Sequence, residues 1–125
     1  MPNYDVSVSD LQGKTLQSVS VNALNDEIVF VTTEGDVYLM YHSQSCCECV
    51  TIEDICGDLT DLVGSPLLVA EEVEGEIDIL PGEINYGEYK WTFYKFDTIK
   101  GGVTIRWYGT SNGWYSISVS FRKED

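Results

Sequence analysis

The sequence predicts an α+β fold, a mainly antiparallel sheet of about seven or eight strands with one α-helix packed on it. Three observations carry that expectation. Residues 16–23 set Val19, Val21 and Ala23 on one face and Ser18, Ser20 and Asn22 on the other, the period-2 alternation of a half-buried strand. Turn signals such as Asn25-Asp26, Glu34-Gly35, Gly101-Gly102 and Asn112-Gly113 punctuate the other β-forming runs. A single stretch, 51–64, spaces its apolar residues by three and four, which is the period of a helix face. At 125 residues the chain suits one domain with a single core, spanning 1–125.

Taken in order, the strand at 16–23 turns at Asn25-Asp26 into a second strand, 27–33, which returns through Glu34-Gly35 as 36–42. A two-residue turn there sets Phe30 opposite Leu39 and Ile28 opposite Tyr41. Both faces of this hairpin are then apolar, so it is expected to be central and covered on both sides. The predicted helix over 51–63 places Ile52, Ile55, Cys56, Leu59, Leu62 and Val63 on its core face and Glu53, Asp54, Asp58 and Asp61 toward water. Thr51 serves as its N-cap, and Gly64 followed by Pro66 ends it. Gly57 inside it costs about 1 kcal/mol relative to Ala. A strand over 66–73 follows. The acidic, Gly- and Pro-containing stretch 74–89 reads as an exposed loop with a short strand at 77–80.

Residues 91–121 hold all three tryptophans and three of the four phenylalanines and read as three consecutive antiparallel strands. A Gly101-Gly102 turn pairs Phe96 with Trp107, Thr98 with Ile105 and Asp97 with Arg106. A three-residue loop, 111–113, with Gly113 in the left-handed region pairs Trp107 with Ile117, Ile105 with Val119 and Val103 with Phe121; a two-residue turn would mix the faces. The outward face then carries Asp97, Arg106 and Ser118 in one row and Lys95, Tyr108 and Ser116 in the next.

The net charge of −14 is unevenly spread: residues 15–89 contain sixteen acids and no Lys or Arg, and residues 90–125 carry six bases and three acids. Such an acidic body repels phosphate backbones, which argues against direct nucleic-acid binding, and attracts a basic protein surface. Acids also serve solubility alone. The first residues lack the basic and apolar segments of a signal peptide, and no window reaches the roughly 18 apolar residues of a membrane span. The protein is therefore expected to be soluble and cytoplasmic, with Cys46, Cys47, Cys49 and Cys56 as reduced thiols or metal ligands.

The strongest candidate site is the outward face of the last sheet with its loop, where Lys95, Arg106, Tyr108, Asn112, Trp114 and Tyr115 combine cationic, hydrogen-bonding and stacking groups. That mixture suits a protein partner or a small anionic ligand such as a nucleotide; a solvated cross-strand ion pair is the plainer account. The acidic run Glu71, Glu72, Glu74 and Glu76 is the candidate contact for a basic partner. His42, Cys46, Cys47, Glu48 and Cys49 offer enough donors for zinc, but the paired C-x2-C spacings are missing, so no metal is assigned and no cofactor is expected. Without a P-loop, a G-x-G-x-x-G after a strand or a G-x-S-x-G, the chain is not expected to be an enzyme.

The segments YHSQSCCECV, EDICGDLTDLVGSPLLVAEE and WTFYKFDTIKGGVTIRWYGTSNGWYS together resemble an uncharacterised family of small acidic proteins encoded by bacteriophages and prophages. The likeness spans about residues 36–118 and includes His42, Cys46, Cys47, Glu48, Arg106, Asn112 and Gly113; Cys49, the stretch 74–89 and Trp114 depart from the pattern. It implies a phage origin and leaves the mechanism open. With the acidic body, it leads to the expectation of a non-catalytic protein that binds and inhibits a host factor, such as a defence component. The alternatives are a binder that sequesters a nucleotide-like signal and a zinc-binding domain.

Overall fold

Side chains that alternate in and out of a shared core organise the described strands. The computed structural model describes residues 4–44, 47–75, 78–79, 88–111 and 116–124. Among these the strands are β1 (Tyr4–Asp5), β2 (Leu16–Val21), β3 (Glu27–Thr32), β4 (Val37–Tyr41), β5 (Cys49–Cys56), β6 (Val69–Glu74), β7 (Asp78–Ile79), β8 (Glu88–Thr98), β9 (Gly101–Ser111) and β10 (Ser120–Glu124). They form two antiparallel sheets. The first runs β1-β10-β4-β3-β2; the second runs β5-β9-β8-β6, with β7 also paired to β8.

The sheets pack face to face. Ile28, Phe30, Tyr38, Met40 and Phe121 of the first meet Ile52, Phe96, Ile105 and Trp107 of the second in one buried cluster. The Phe30 and Phe96 rings lie 5.6 Å apart across the layer. Trp107 Nε1–H donates to Met40 Sδ at 3.2 Å, which satisfies the indole at the centre of the core.

The helix expected over 51–63 is absent, and the fold is all-β rather than α+β: the described residues form no α-helix, only the 3-10 turns Val8–Leu11 and Leu59–Leu62. The reason lies in a β-bulge. Val50 and Ile52 point inward opposite Gly109 and Trp107, and a register shift between Ile52 and Asp54 brings Ile55 inward as well, opposite Ile105. An extra residue in a strand turns a spacing of two into a spacing of three, and Leu59 and Leu62 then repeat that spacing in the 3-10 turn. The combined pattern imitates a helix face. Asp58 caps the turn, its carboxylate accepting from the Thr60 hydroxyl at 2.7 Å and the Thr60 N–H at 3.0 Å, bonds that hold it below the usual carboxylate range. Cys56, expected in the core, is exposed.

Three registers differ from expectation. In the β3–β4 hairpin Phe30 faces Tyr38 and Ile28 faces Met40, one residue from the predicted pairing. Thr32 causes the slip: its N–H donates to Asp36 O at 2.9 Å and its hydroxyl accepts the Asp36 N–H at 3.1 Å, which closes a longer loop than Glu34-Gly35 alone. β4 is central in its sheet as expected, but the outer side of the hairpin, with Val29, Val31, Val37 and Leu39, is half-buried rather than covered. In the β8–β9 hairpin the turn is at Ile99 and Lys100, so Phe96 faces Val103, Asp97 faces Gly102 and Phe93 faces Arg106. The glycines lie in the strand, where a Cβ at Gly102 would fall against the carboxylate of the facing Asp97. The displacement is even, so the inward and outward faces survive it.

The third strand of the expected sheet goes elsewhere. β10 leaves β9 and pairs with β4 and β1 in the first sheet, where the Phe121 ring stacks on Tyr38 at 5.5 Å and meets Phe30 edge-on at 5.8 Å. Predicted loop residues 112–113 lie outside the described residues. The strand predicted after Pro66 is β6, and the short one within 77–80 is β7.

Gly57, where the bulged strand turns into the 3-10 segment, has φ +114°, and a Cβ there would lie 2.5 Å from Gly102 O. Gly57→Ala is expected to cost about 2 kcal/mol or more, read as a shift of the urea unfolding midpoint; a neutral outcome would contradict the strand-and-bulge account of this segment.

Candidate interaction face

β8 and β9 pair along their full length, and their alternation sorts the richest aromatic stretch of the chain onto two faces. Thr92, Tyr94, Phe96, Val103, Ile105 and Trp107 are buried. The intervening residues must therefore point away from the core: Tyr89, Trp91, Phe93, Lys95 and Asp97 on β8, and Thr104, Arg106 and Tyr108 on β9. Register places Trp91 opposite Tyr108 and Phe93 opposite Arg106. On the flanking strands Asp54 lies opposite Arg106, Val73 opposite Phe93 and Glu71 opposite Lys95.

The rings form a continuous lane. Trp91 and Tyr108 have centroids 4.7 Å apart, Tyr108 and Tyr89 5.9 Å, and Trp91 and Phe93 6.1 Å with parallel planes. Arg106 lies across it: its Cζ is 5.0 Å from the Trp91 centroid and 5.8 Å from that of Phe93, and its Nη1 donates to Asp54 Oδ2 at 3.1 Å. These side chains are half-exposed, Val73 is exposed, and no strand among the described residues packs over them.

Of the residues expected to bind, Lys95, Arg106 and Tyr108 share this face. Asn112, Trp114, Tyr115 and Glu76 lie outside the described residues. The acidic run is not one patch, because successive strand residues alternate sides. Glu71 points outward beside Lys95, whereas Glu72 accepts from the buried Tyr94 hydroxyl at 2.5 Å and Glu74 pairs with the buried Lys90 at 2.8 Å. Ser118, expected beside Arg106, instead gives its carbonyl to His42. Tyr89, Trp91 and Phe93 were not among the expected site residues; extending the alternation backward from the inward Phe96 would have found them.

Among the described residues of the cysteine region, His42 and Glu48 form a buried hydrogen-bonded pair. The Ser118 carbonyl can only accept, so His42 Nδ1 carries a proton toward it at 2.6 Å, and His42 Nε2 shares a second proton with Glu48 Oε2 at 2.8 Å. Both side chains are almost wholly buried, and both imidazole nitrogens are occupied. Cys47 is disulfide-bonded, contrary to the expectation of reduced thiols, while Cys49 and Cys56 are free and exposed. Among the described residues no group of three or more metal-binding side chains converges.

Among the described residues, clefts of about 320 Å³ beside His42 and about 360 Å³ beside Phe121 flank the core. The first is lined by Asp26 and Glu27 and the second by Asp5 and Glu72, charges that oppose a phosphate. At the far end of the first sheet, Lys14 Nζ donates to Tyr38 OH at 2.9 Å, which in turn donates to Asp10 at 2.7 Å. Burial, and then this bond to Asp10, raise the Tyr38 phenol above its ordinary value.

The fold and this face define a small all-β sandwich with an outward aromatic and cationic sheet surface. The chain belongs to the DUF7448 family, a domain of unknown function, whose model matches residues 9–121. No curated protein and no solved structure matches the chain. No helix among the described residues is long and apolar enough to cross a membrane.

Removing one partner of a buried hydrogen bond leaves the other unsatisfied, so Glu48→Ala is expected to cost about 2 kcal/mol in urea unfolding; a loss no larger than that of an exposed carboxylate would contradict the pairing with His42. Burial, and then the Glu72 hydrogen bond and charge, raise the Tyr94 phenol above the ordinary 10.0. The unfolded chain ionises this group near pH 10 and the folded chain does not, so the stability is full below pH 10 and declines above it. The slope is up to about 1.4 kcal/mol per pH unit from this residue, and Tyr94→Phe should flatten it; an unchanged slope between pH 10 and about 12 would count against this environment.

Proposed function

We propose that this chain is a non-catalytic interaction protein that docks a protein partner on the outer face of its second sheet. The observation that carries the reading is the lane of Tyr89, Tyr108, Trp91 and Phe93 with Arg106 lying across it. Contiguous aromatic surface is the composition of interface hot spots, and a domain gains nothing from leaving it partly open to water. Stiff side chains on two fully paired strands also lose little freedom on binding.

The resemblance to small acidic phage and prophage proteins supports a host factor as the partner, for example a defence component inhibited in the bacterial cytoplasm. The charge of −14 supports a partner with a basic surface. A nucleotide-like ligand finds less support: Asp54 offsets the charge of Arg106, and the clefts are lined by carboxylates. The occupied nitrogens of His42 favour a structural role for the His42–Glu48 pair over zinc binding.

In affinity capture from a bacterial host lysate, Trp91→Ala and Phe93→Ala should each reduce recovery of the partner at least about tenfold, since truncating a hot-spot aromatic costs about 2 kcal/mol or more. Both variants should keep the unfolding transition of the parent. Full retention of every captured protein by both folded variants would remove this face as the contact.

A further inference from the structure

We propose that the outer face of the second sheet recognises a cationic segment of its partner, bearing arginine or lysine, which it receives between ring faces and carboxylates. This rests on the reading of that face as the contact surface and adds the chemistry of what it holds.

Arg106 shows the device at work within the chain. Its guanidinium lies 5.0 Å from the Trp91 centroid and 5.8 Å from that of Phe93, while Asp54 fixes one end at 3.1 Å. Ring faces and a carboxylate are two means by which proteins hold such a group. The same face carries more acid than it uses. Glu71 and Asp97 point outward from β6 and β8, Glu53 is exposed at the bulge of β5, and none of the three has an ion pair among the described residues.

On this face Lys95, beside Glu71, and Arg106 stand against Glu53, Asp54, Glu71 and Asp97, an excess of two carboxylates, and the protein's other cations are committed elsewhere. Lys14, Lys90 and Lys123 are in ion pairs, Lys100 donates to Val63 O, and the Arg122 guanidinium lies over Tyr41. Aromatic surface with a surplus of unpaired carboxylate complements a positive segment. A nucleic acid or an acidic protein would be repelled, and a second copy would bring another −14.

Isothermal titration of the full chain at low salt would compare a short arginine- and lysine-rich peptide with a neutral peptide of the same length, an acidic peptide and a single-stranded oligonucleotide. Binding of the basic peptide alone is expected. Trp91→Ala and Phe93→Ala change no charge and should each weaken it about tenfold. Arg106→Ala removes the competing cation and vacates its seat, so it should tighten the basic peptide several-fold. Preference for the oligonucleotide or the acidic peptide, undiminished binding by both ring variants, or weakening by Arg106→Ala would overturn the proposal. A lysate partner that still needs Trp91 and Phe93 in that event would leave the contact face standing and remove only its cation chemistry; a partner indifferent to both would remove the face itself.

Discussion

Trp107 fixes the arrangement on which the rest of the surface depends. Its indole is buried between the sheets and donates to Met40 Sδ across the layer. Losing so large a buried side chain costs a small domain roughly 3–5 kcal/mol. With Trp107 committed inward, the period of the strand leaves Arg106 and Tyr108 no position but outward. Thr92 lies opposite Trp107 and is also buried, so Trp91 and Phe93 are forced to the same outer face. The aromatic lane is thus a geometric consequence of the core.

The polar groups elsewhere serve the fold. Glu72 and Glu74 satisfy Tyr94 and Lys90 at the margin of the second sheet, and the His42–Glu48 pair ties the segment after β4 to the carbonyl of Ser118 just before β10. These are costly groups to bury, and each has partners that offset the loss of water. Their chemistry is held in place by the same bonds. The outer face differs because Arg106 is bound by rings and one carboxylate at a half-exposed position, where a partner's groups can compete for them.

Much of this was legible in the residues, and the failures share one cause. Alternation in β2, β8 and β9 assigned the faces of Val19, Phe96, Ile105 and Trp107 correctly, and it did so although the β8–β9 turn was misplaced, because that error was even. A slip of one residue at Thr32 was enough to put Tyr38 rather than Leu39 opposite Phe30. The helix expected over 51–63 arose because a bulge at Glu53 reproduced helical spacing, and linear spacing cannot distinguish the two. The destination of β10 was hidden for a related reason: its pairing with β4 is long-range, and a local hairpin satisfied the same hydrophobic pattern. Splitting of the acidic run between two faces followed from period 2 and could have been read directly from Glu71 through Glu74.

The central claim is that the outer face of β8 and β9 is the contact surface. Backbone amide NMR shifts of the labelled chain, followed while the captured partner is added, test it most directly. The account expects the largest changes at residues 89–97 and 104–108 with Asp54 and Val73, and little change around Val29, Val31, Val37 and Leu39 on the opposite side of the sandwich. Changes concentrated on that opposite face, or at the clefts beside His42 and Phe121, would contradict it.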